Sequence, residues 1–327
     1  MSANMSPFQR LALFLILIPH CALVGAASLV GQPINIADHI RNGDRFMGIE
    51  LLGSLSLRGD PALAELSGLA WDEDEQLLLA ISDQGRVLKL APRFSNGHLS
   101  QIELIAAHPL QDRRGKPLRG GWSDAEGLTL ENSANGVLGD SRLVISFERH
   151  HRIERYQPDG VWHSTLPLPD LLRRSGYRPK TNRGMEAVTL HLQQGIITGP
   201  EYPRANQSHY LISTSGRTWQ YQPKEADGAL VALEALPNGD LVLLERAYTS
   251  IFSPWVISLT RIRAADLVSS SSVTTELIAR FDSGQGWLIQ NMEGLTRHQG
   301  MHFFMVSDDG NKPWAQTQLV YFKIVGE

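Results

Sequence analysis

Five short motifs in this 327-residue chain carry residue types that could do chemistry. Glu126-Gly127-Leu128-Thr129 and Glu293-Gly294-Leu295-Thr296 both read EGLT, and Glu186-Ala187-Val188-Thr189 reads EAVT. Glu234-Ala235-Leu236 is a shorter version, and Ser67-Gly68-Leu69-Ala70 puts a serine where the others have an acid. The motif heads stand at 67, 126, 186, 234 and 293, so the intervals are 59, 60, 48 and 59 residues. Carboxylates gathered by such a repeat would repel and raise one another's pKa unless something offset them. A hard cation with oxygen ligands is one answer, and calcium suits a loose, carboxylate-rich site. Ion pairing is another, for which Arg149, Arg183 and Arg246 are available. A third is that each glutamate accepts backbone N–H groups and braces the fold.

A second acid follows each motif at the end of an apolar run: Asp83, Glu148, Glu201, Glu245 and Asp308. Repetition alone argues for a structural device, because a functional site normally breaks symmetry. The asymmetric features are Arg149-His150-His151, Arg183, Arg246 and Asp308-Asp309-Gly310-Asn311. The last is either an oxygen-ligand turn or a plain hairpin turn. Arg149, His150, Arg183 and Arg246 are the candidates for receiving an anionic substrate group, although His150-His151 also fits a solvated strand end.

The elements that must position these groups are strands. Runs such as Leu77–Asp83 (LLLAISD), Leu143–Glu148 (LVISFE) and Met301–Asp308 (MHFFMVSD) are rich in apolar residues and bounded by Gly, Asn and Asp. Self-similarity at a period near 50 residues points to a β-propeller. Five repeats give five blades, with six as the alternative. The first strand of each blade then lines the channel, and Glu126, Glu186, Glu234 and Glu293 would ring one mouth. Arg45–Arg58 precedes the first repeat and would join the last blade beside Leu319–Val325, closing the ring. Pro237-Asn238-Gly239-Asp240 is the clearest hairpin signal. Pro200–Pro203 breaks the second strand of blade three. Outside the leader the only helical signal is one short turn near Arg261–Leu267.

Length and composition fit one large all-β domain, with 29 Gly and 17 Pro to supply turns. A net charge of −4 and the absence of a basic run give no attraction to nucleic acid. Residues 1–27 read as a signal peptide: Arg10, the apolar core Leu11–Ile18, then Gly25-Ala26-Ala27 as a small-residue cleavage site. That core is short for a bilayer span, so no stable membrane span is expected after cleavage. Residues 28–44 read as an irregular lead-in and 45–327 as the propeller. The one cysteine, Cys21, falls inside the leader. The mature chain would have no disulfide and no thiol nucleophile, which suits a periplasmic or secreted monomer.

No G-x-S-x-G elbow, H-E-x-x-H helix, P-loop, Rossmann glycine pattern or Arg-His-Gly phosphatase motif is present. A hydrolase on this chain would work by metal-assisted activation of water rather than by a serine triad.

Several stretches together resemble the bacterial phytase-like propellers described as having esterase-like activity. They are Glu65–Asp72 (ELSGLAWD), Ile81-Ser82-Asp83, Asp124–Leu130 (DAEGLTL), Gly184–Thr189 (GMEAVT), Leu241–Arg246 (LVLLER), Asn291–Thr296 (NMEGLT) and Val306–Asn311 (VSDDGN). The resemblance implies hydrolysis of phosphoric or carboxylic esters, and relatives of the phytase propellers use calcium. It brings no family-wide set of catalytic residues. Combined with the acid ring, it makes Glu126, Glu186 and Glu293 the candidate catalytic carboxylates. Glu126, Glu186, Glu234, Glu293 and Asp308 are the candidate ligands for Ca2+, and a small anionic or ester substrate is the expected partner. The competing expectation is a propeller of the cell envelope that binds a ligand or partner without turnover.

Overall fold

The computed structural model describes residues 28–168, 184–202, 208–248 and 253–326. They form a five-bladed β-propeller of antiparallel sheets. From the inside outward, blade 1 is Leu66–Asp72, Leu77–Ser82, Arg86–Ser95 and His98–Pro109. Blade 2 is Ala125–Glu131, Arg142–Phe147, Arg152–Tyr156 and Trp162–Leu166. Blade 3 is Met185–His191, Gly195–Pro200, His209–Ser213 and Thr218–Tyr221. Blade 4 is Gly228–Ala235, Leu241–Ala247, Val256–Ile262 and Glu276–Asp282. Blade 5 is Asn291–Arg297, His302–Asp308 and Thr317–Ile324, with Ile49–Leu57 paired antiparallel to Thr317–Ile324. Each innermost strand touches the next in ring order, and the fifth touches the first.

The expected leader, Cys21 and Arg183 lie outside the described residues. Among the described residues no helix is long and apolar enough to cross a membrane. The short turn expected near Arg261–Leu267 is a six-residue helix, Ala264–Ser269.

Within the lead-in 28–44, residues 28–33 form two short strands and residues 34–44 add none. Ser28–Leu29 adds to the outer edge of blade 1, and Gly31–Pro33 adds to Ile49–Leu57 in blade 5. Between them, the Val30 N–H donates to Ile102 O (3.1 Å) and its carbonyl accepts from Arg58 N (2.7 Å). The physical reason is that a blade's last strand offers unpaired N–H and C=O groups, and a short added strand covers them.

The apolar runs are continuous rather than alternating because each blade is covered on both faces. Leu143, Ile145 and Phe147 pack toward blade 1, while Val144 packs toward blade 3. Leu241 and Leu243 pack toward blade 3, while Val242 and Leu244 pack toward blade 5. Successive side chains of a strand point to opposite faces, so one run feeds two cores. Five such inter-blade cores hold the ring, and each fully buried aliphatic side chain contributes about 1.5–3 kcal/mol.

The inner strands approach so closely that the residue after each motif head must be small. A Cβ on Gly127 would stand 2.5 Å from the Glu186 carbonyl oxygen and 2.6 Å from Ser146 Oγ. Gly127→Ala is therefore expected to cost about 1–3 kcal/mol through overpacking against backbone. A urea midpoint equal to that of the parent chain would refute this.

Candidate functional site

The motif heads sit at β-bulges. In blade 1, Leu66 pairs with Ser82 and Gly68 with Ile81, leaving Ser67 as the extra residue. The same break in register falls at Glu126-Gly127 opposite Ser146, and at Glu186, Val231 and Glu293. A bulge re-aims the side chain that it leaves unpaired. The acid at the end of each of these second strands, Asp83, Glu148 and Glu201 just after it and Asp308 as its last residue, comes to the same mouth. In blade 4 this register position is Arg246, not Glu245.

Two carboxylate triads meet here. Asp83, Asp124 and Glu126 offer oxygens within 4.8 Å of one another, and so do Glu126, Glu148 and Glu186. Glu126 belongs to both. Burial raises Glu126 far above the usual glutamate range, and Asp83, Glu186 and Glu293 add to the effect. Glu186 is raised well above its usual range by burial and by Glu201 and Glu148, with Arg246 opposing. Asp83 is raised by burial and by Glu293, although the Ser67 hydroxyl donates to it. Glu148 is pushed up to about 8 by burial and the neighbouring Asp124, and Asp308 to about 7 by burial and Glu293.

Arg246 is the counter-charge. Its Nη1 donates to Asn291 Oδ1 (2.7 Å) and to Glu293, and its Nη2 donates to Glu201 Oε1 (2.6 Å). Burial works against the charge of Arg246, yet Glu293, Glu201 and Glu186 outweigh it and raise its pKa above that of an ordinary arginine. Asn291 Nδ2 also donates to Glu293 Oε1 (2.8 Å) and Asp308 Oδ2 (3.1 Å). Even so, burial leaves the Glu293 pKa raised.

The structure thus brings Glu126, Glu186, Glu293, Asp308 and Arg246 together. It puts Glu234 elsewhere. Glu234 lies three residues past the blade 4 bulge, at the register of Thr129, Thr189 and Thr296. Those threonines latch one blade to the next: Leu190 N donates to Thr129 Oγ1 (3.3 Å), Ala235 N to Thr189 Oγ1 (3.0 Å) and Trp71 N to Thr296 Oγ1 (3.2 Å). The Glu234 carboxyl accepts from Arg297 N in the same way, and burial raises its pKa to about 8. It lines a cavity of about 500 Å³ at the opposite mouth with Arg297 and His298. Glu245 instead accepts from Lys224 N (3.0 Å).

Arg149 reaches the cluster through Asp124 (Nε to Oδ2, 2.9 Å). His150 stacks on Trp122, ring centroids 3.9 Å apart. The Asp308–Asn311 segment is a turn that also joins blades. Asp308 Oδ1 accepts from Gly310 N (2.6 Å), and Asp309 Oδ1 accepts from Asn311 N (2.9 Å) and from Glu65 N of blade 1 (3.0 Å). Sequence reasoning passed over Asp124 and Asn291. Their signal was present, since each stands two residues ahead of a motif glutamate.

No curated protein sequence matches the chain. Among solved structures, a gluconolactonase from Xanthomonas campestris is 13% identical with a TM-score of 0.40, over 91% of this chain and 98% of that one. The tail fibre of a Staphylococcus aureus phage is 11% identical with a TM-score of 0.44, over 88% of this chain and 55% of that one. An inactive virginiamycin B lyase from Staphylococcus aureus, solved with quinupristin, is 11% identical with a TM-score of 0.39, over 85% of this chain and 80% of that one. The sequence model for phytase-like proteins with esterase-like activity of phytase matches residues 61–311, most of the described propeller, and the chain belongs to that family.

Proposed function

We propose that the acidic mouth is the reaction centre of an exported ester hydrolase that works with a divalent cation, calcium by preference. The observation that carries this reading is the pair of carboxylate triads sharing the buried Glu126. The donor set fits the ion. All the oxygens are hard carboxylate donors, which favours calcium over zinc or copper. Burial raises the pKa values of Asp83, Glu126, Glu148 and Glu186. The site therefore favours protonated carboxyls in the metal-free chain, and a cation would take the place of those protons.

Asp83 and Asp124 on one side, with Glu148 and Glu186 on the other, would hold the cation around Glu126. Bound there, a divalent cation supplies Lewis-acid polarisation of an ester oxygen. Glu293, oriented by Arg246 and Asn291, is positioned to take a proton from an attacking water. Arg149, at the edge of the cluster, offers a cation to an anionic group of the substrate. Phosphoric and carboxylic esters both fit this scheme. Cleavage of residues 1–27 would deliver residues 28–44 and the propeller 45–327 to the periplasm or medium, where we propose that it acts as a monomer.

The test is turnover of p-nitrophenyl phosphate, phytate and p-nitrophenyl acetate by the mature chain, with calcium and with chelator. Chelator-sensitive release from at least one of them is expected. A chain that gains thermal stability from calcium yet turns over none of them is a binding propeller, and the hydrolase reading falls.

A further inference from the structure

A second concavity, about 910 Å³ in volume, opens beside the acidic mouth along the outer strands of blade 2. That is the size of a site for a drug-sized molecule. Its walls carry Arg113, Arg114, Lys116 and Arg119 together with the indoles of Trp122 and Trp162. Its two acids are engaged. Asp112 Oδ1 accepts from Arg114 N (2.8 Å) and Lys116 N (2.9 Å) of its own loop. Glu154 accepts from Arg152 (2.9 Å), Tyr156 (2.7 Å) and Thr165 (3.0 Å). The exposed cations therefore leave the groove positive in a chain whose net charge is −4. The aromatic surfaces are already used as platforms for cations: Arg113 lies 4.9 Å over the Trp162 ring and Arg152 lies 5.3 Å from Trp122.

A chain of side-chain contacts links the groove to the acidic cluster. Trp122 lines the groove and stacks on His150, which follows Arg149, and Arg149 pairs with Asp124. We infer that this groove receives the part of the substrate remote from the reacting ester, and that this part is a flat aromatic ring bearing an anionic group. The word substrate rests on the hydrolase reading; the binding of an aryl anion does not. A flat ring would take the place of the exposed Arg113 guanidinium over the Trp162 face and stack there, next to the Trp122–His150 stack. Guanidinium groups hold a sulfonate, carboxylate or phosphate by charge-assisted hydrogen bonds. A bare anion would gain only the second term and a neutral arene only the first.

The experiment is calorimetric titration with naphthalenedisulfonate, naphthalenemethanol and inorganic sulfate, on the parent chain and on an Arg113→Gln, Arg119→Gln double variant. Both arginines are exposed, so the variant should keep the parent melting temperature. The disulfonate is expected to bind at least about tenfold more tightly than either control and to lose about tenfold in the double variant. Trp162→Leu should weaken it as well. Binding no tighter than that of sulfate, or unchanged in the variants, overturns the inference. Rates on naphthyl acetate and its sulfonated analogue separate the two ideas. Disulfonate binding with no turnover of either ester retires the hydrolase and keeps the groove. Equal turnover of both, unaffected in the double variant, keeps the hydrolase and retires the groove.

Discussion

Glu126→Gln is expected to abolish the calcium response while leaving the metal-free chain at least as stable as the parent. Both carboxylate triads include Glu126, so one substitution removes a ligand from each. Its side chain is buried, and its pKa is raised first by burial and then by Asp83, Glu186 and Glu293. The metal-free site thus favours the uncharged form of this side chain, and a neutral amide of the same shape replaces it at little cost. The sign for pH follows. A carboxyl whose folded pKa lies above its unfolded value binds more protons in the native state. Stability then falls as pH rises from the unfolded value, about 4.3, toward the folded one. With Glu148 at about 8 and Asp308 at about 7, the metal-free parent should melt progressively lower between pH 5 and pH 8. Glu126→Gln should flatten that decline. Calcium should reverse it in the parent, releasing protons as it binds. At about a hundred times its Kd the ion adds roughly 2.7 kcal/mol. Calorimetry of both proteins, with calcium and with chelator, decides the matter. Equal calcium shifts in the two chains would remove Glu126 from the site.

The fold was legible because the repeat was: its period pointed to a propeller and its five copies to five blades, with six as the alternative. The convergence of the motif acids at one mouth was legible in blades 2, 3 and 5 and misplaced in blade 4. Glu234-Ala235-Leu236 imitates the motif, while the true counterpart, Val231-Ala232-Leu233, lacks the acid. Spacing could have shown this. Glu186 to Glu201 and Glu293 to Asp308 are both 15 residues, as is Val231 to Arg246, whereas Glu234 to Glu245 is 11. The same slip put Glu245 among the acids of the mouth, where the register places Arg246, the residue singled out for ion pairing. A shift of one residue in a strand turns every side chain to the other face, so Glu245 leaves the mouth and Arg246 enters it. The bulges were not legible, because a single unpaired residue leaves no mark on an apolar run. The groove of blade 2 was not legible either. Its meaning depends on Trp122 and Trp162, which stand 40 residues apart in sequence.

The exception in blade 4 leads to the second large effect. Arg246 sits where the other blades place acids, and it bridges Glu201, Glu293 and Asn291. Its side chain is only 14% exposed. Removing one partner of a buried charge pair typically costs about 3–5 kcal/mol, because the other is left uncompensated. Arg246→Met is accordingly expected to lower the stability of the metal-free chain at pH 8 by at least about 3 kcal/mol, or roughly 6 °C in melting temperature. Glu293, already raised by burial, loses its chief counter-charge in this variant, and its folded pKa climbs further. The added penalty then grows with pH above the unfolded value and shrinks as Glu293 takes a proton. Most of the loss should therefore return at pH 5. Pairing Arg246→Met with Glu293→Gln should recover part of it at pH 8, because the uncompensated charge is gone. A loss of the same size at both pH values, unrelieved in the double variant, would mean that Arg246 holds the blade by packing. The acids of the mouth would then need a cation to be stable together at all.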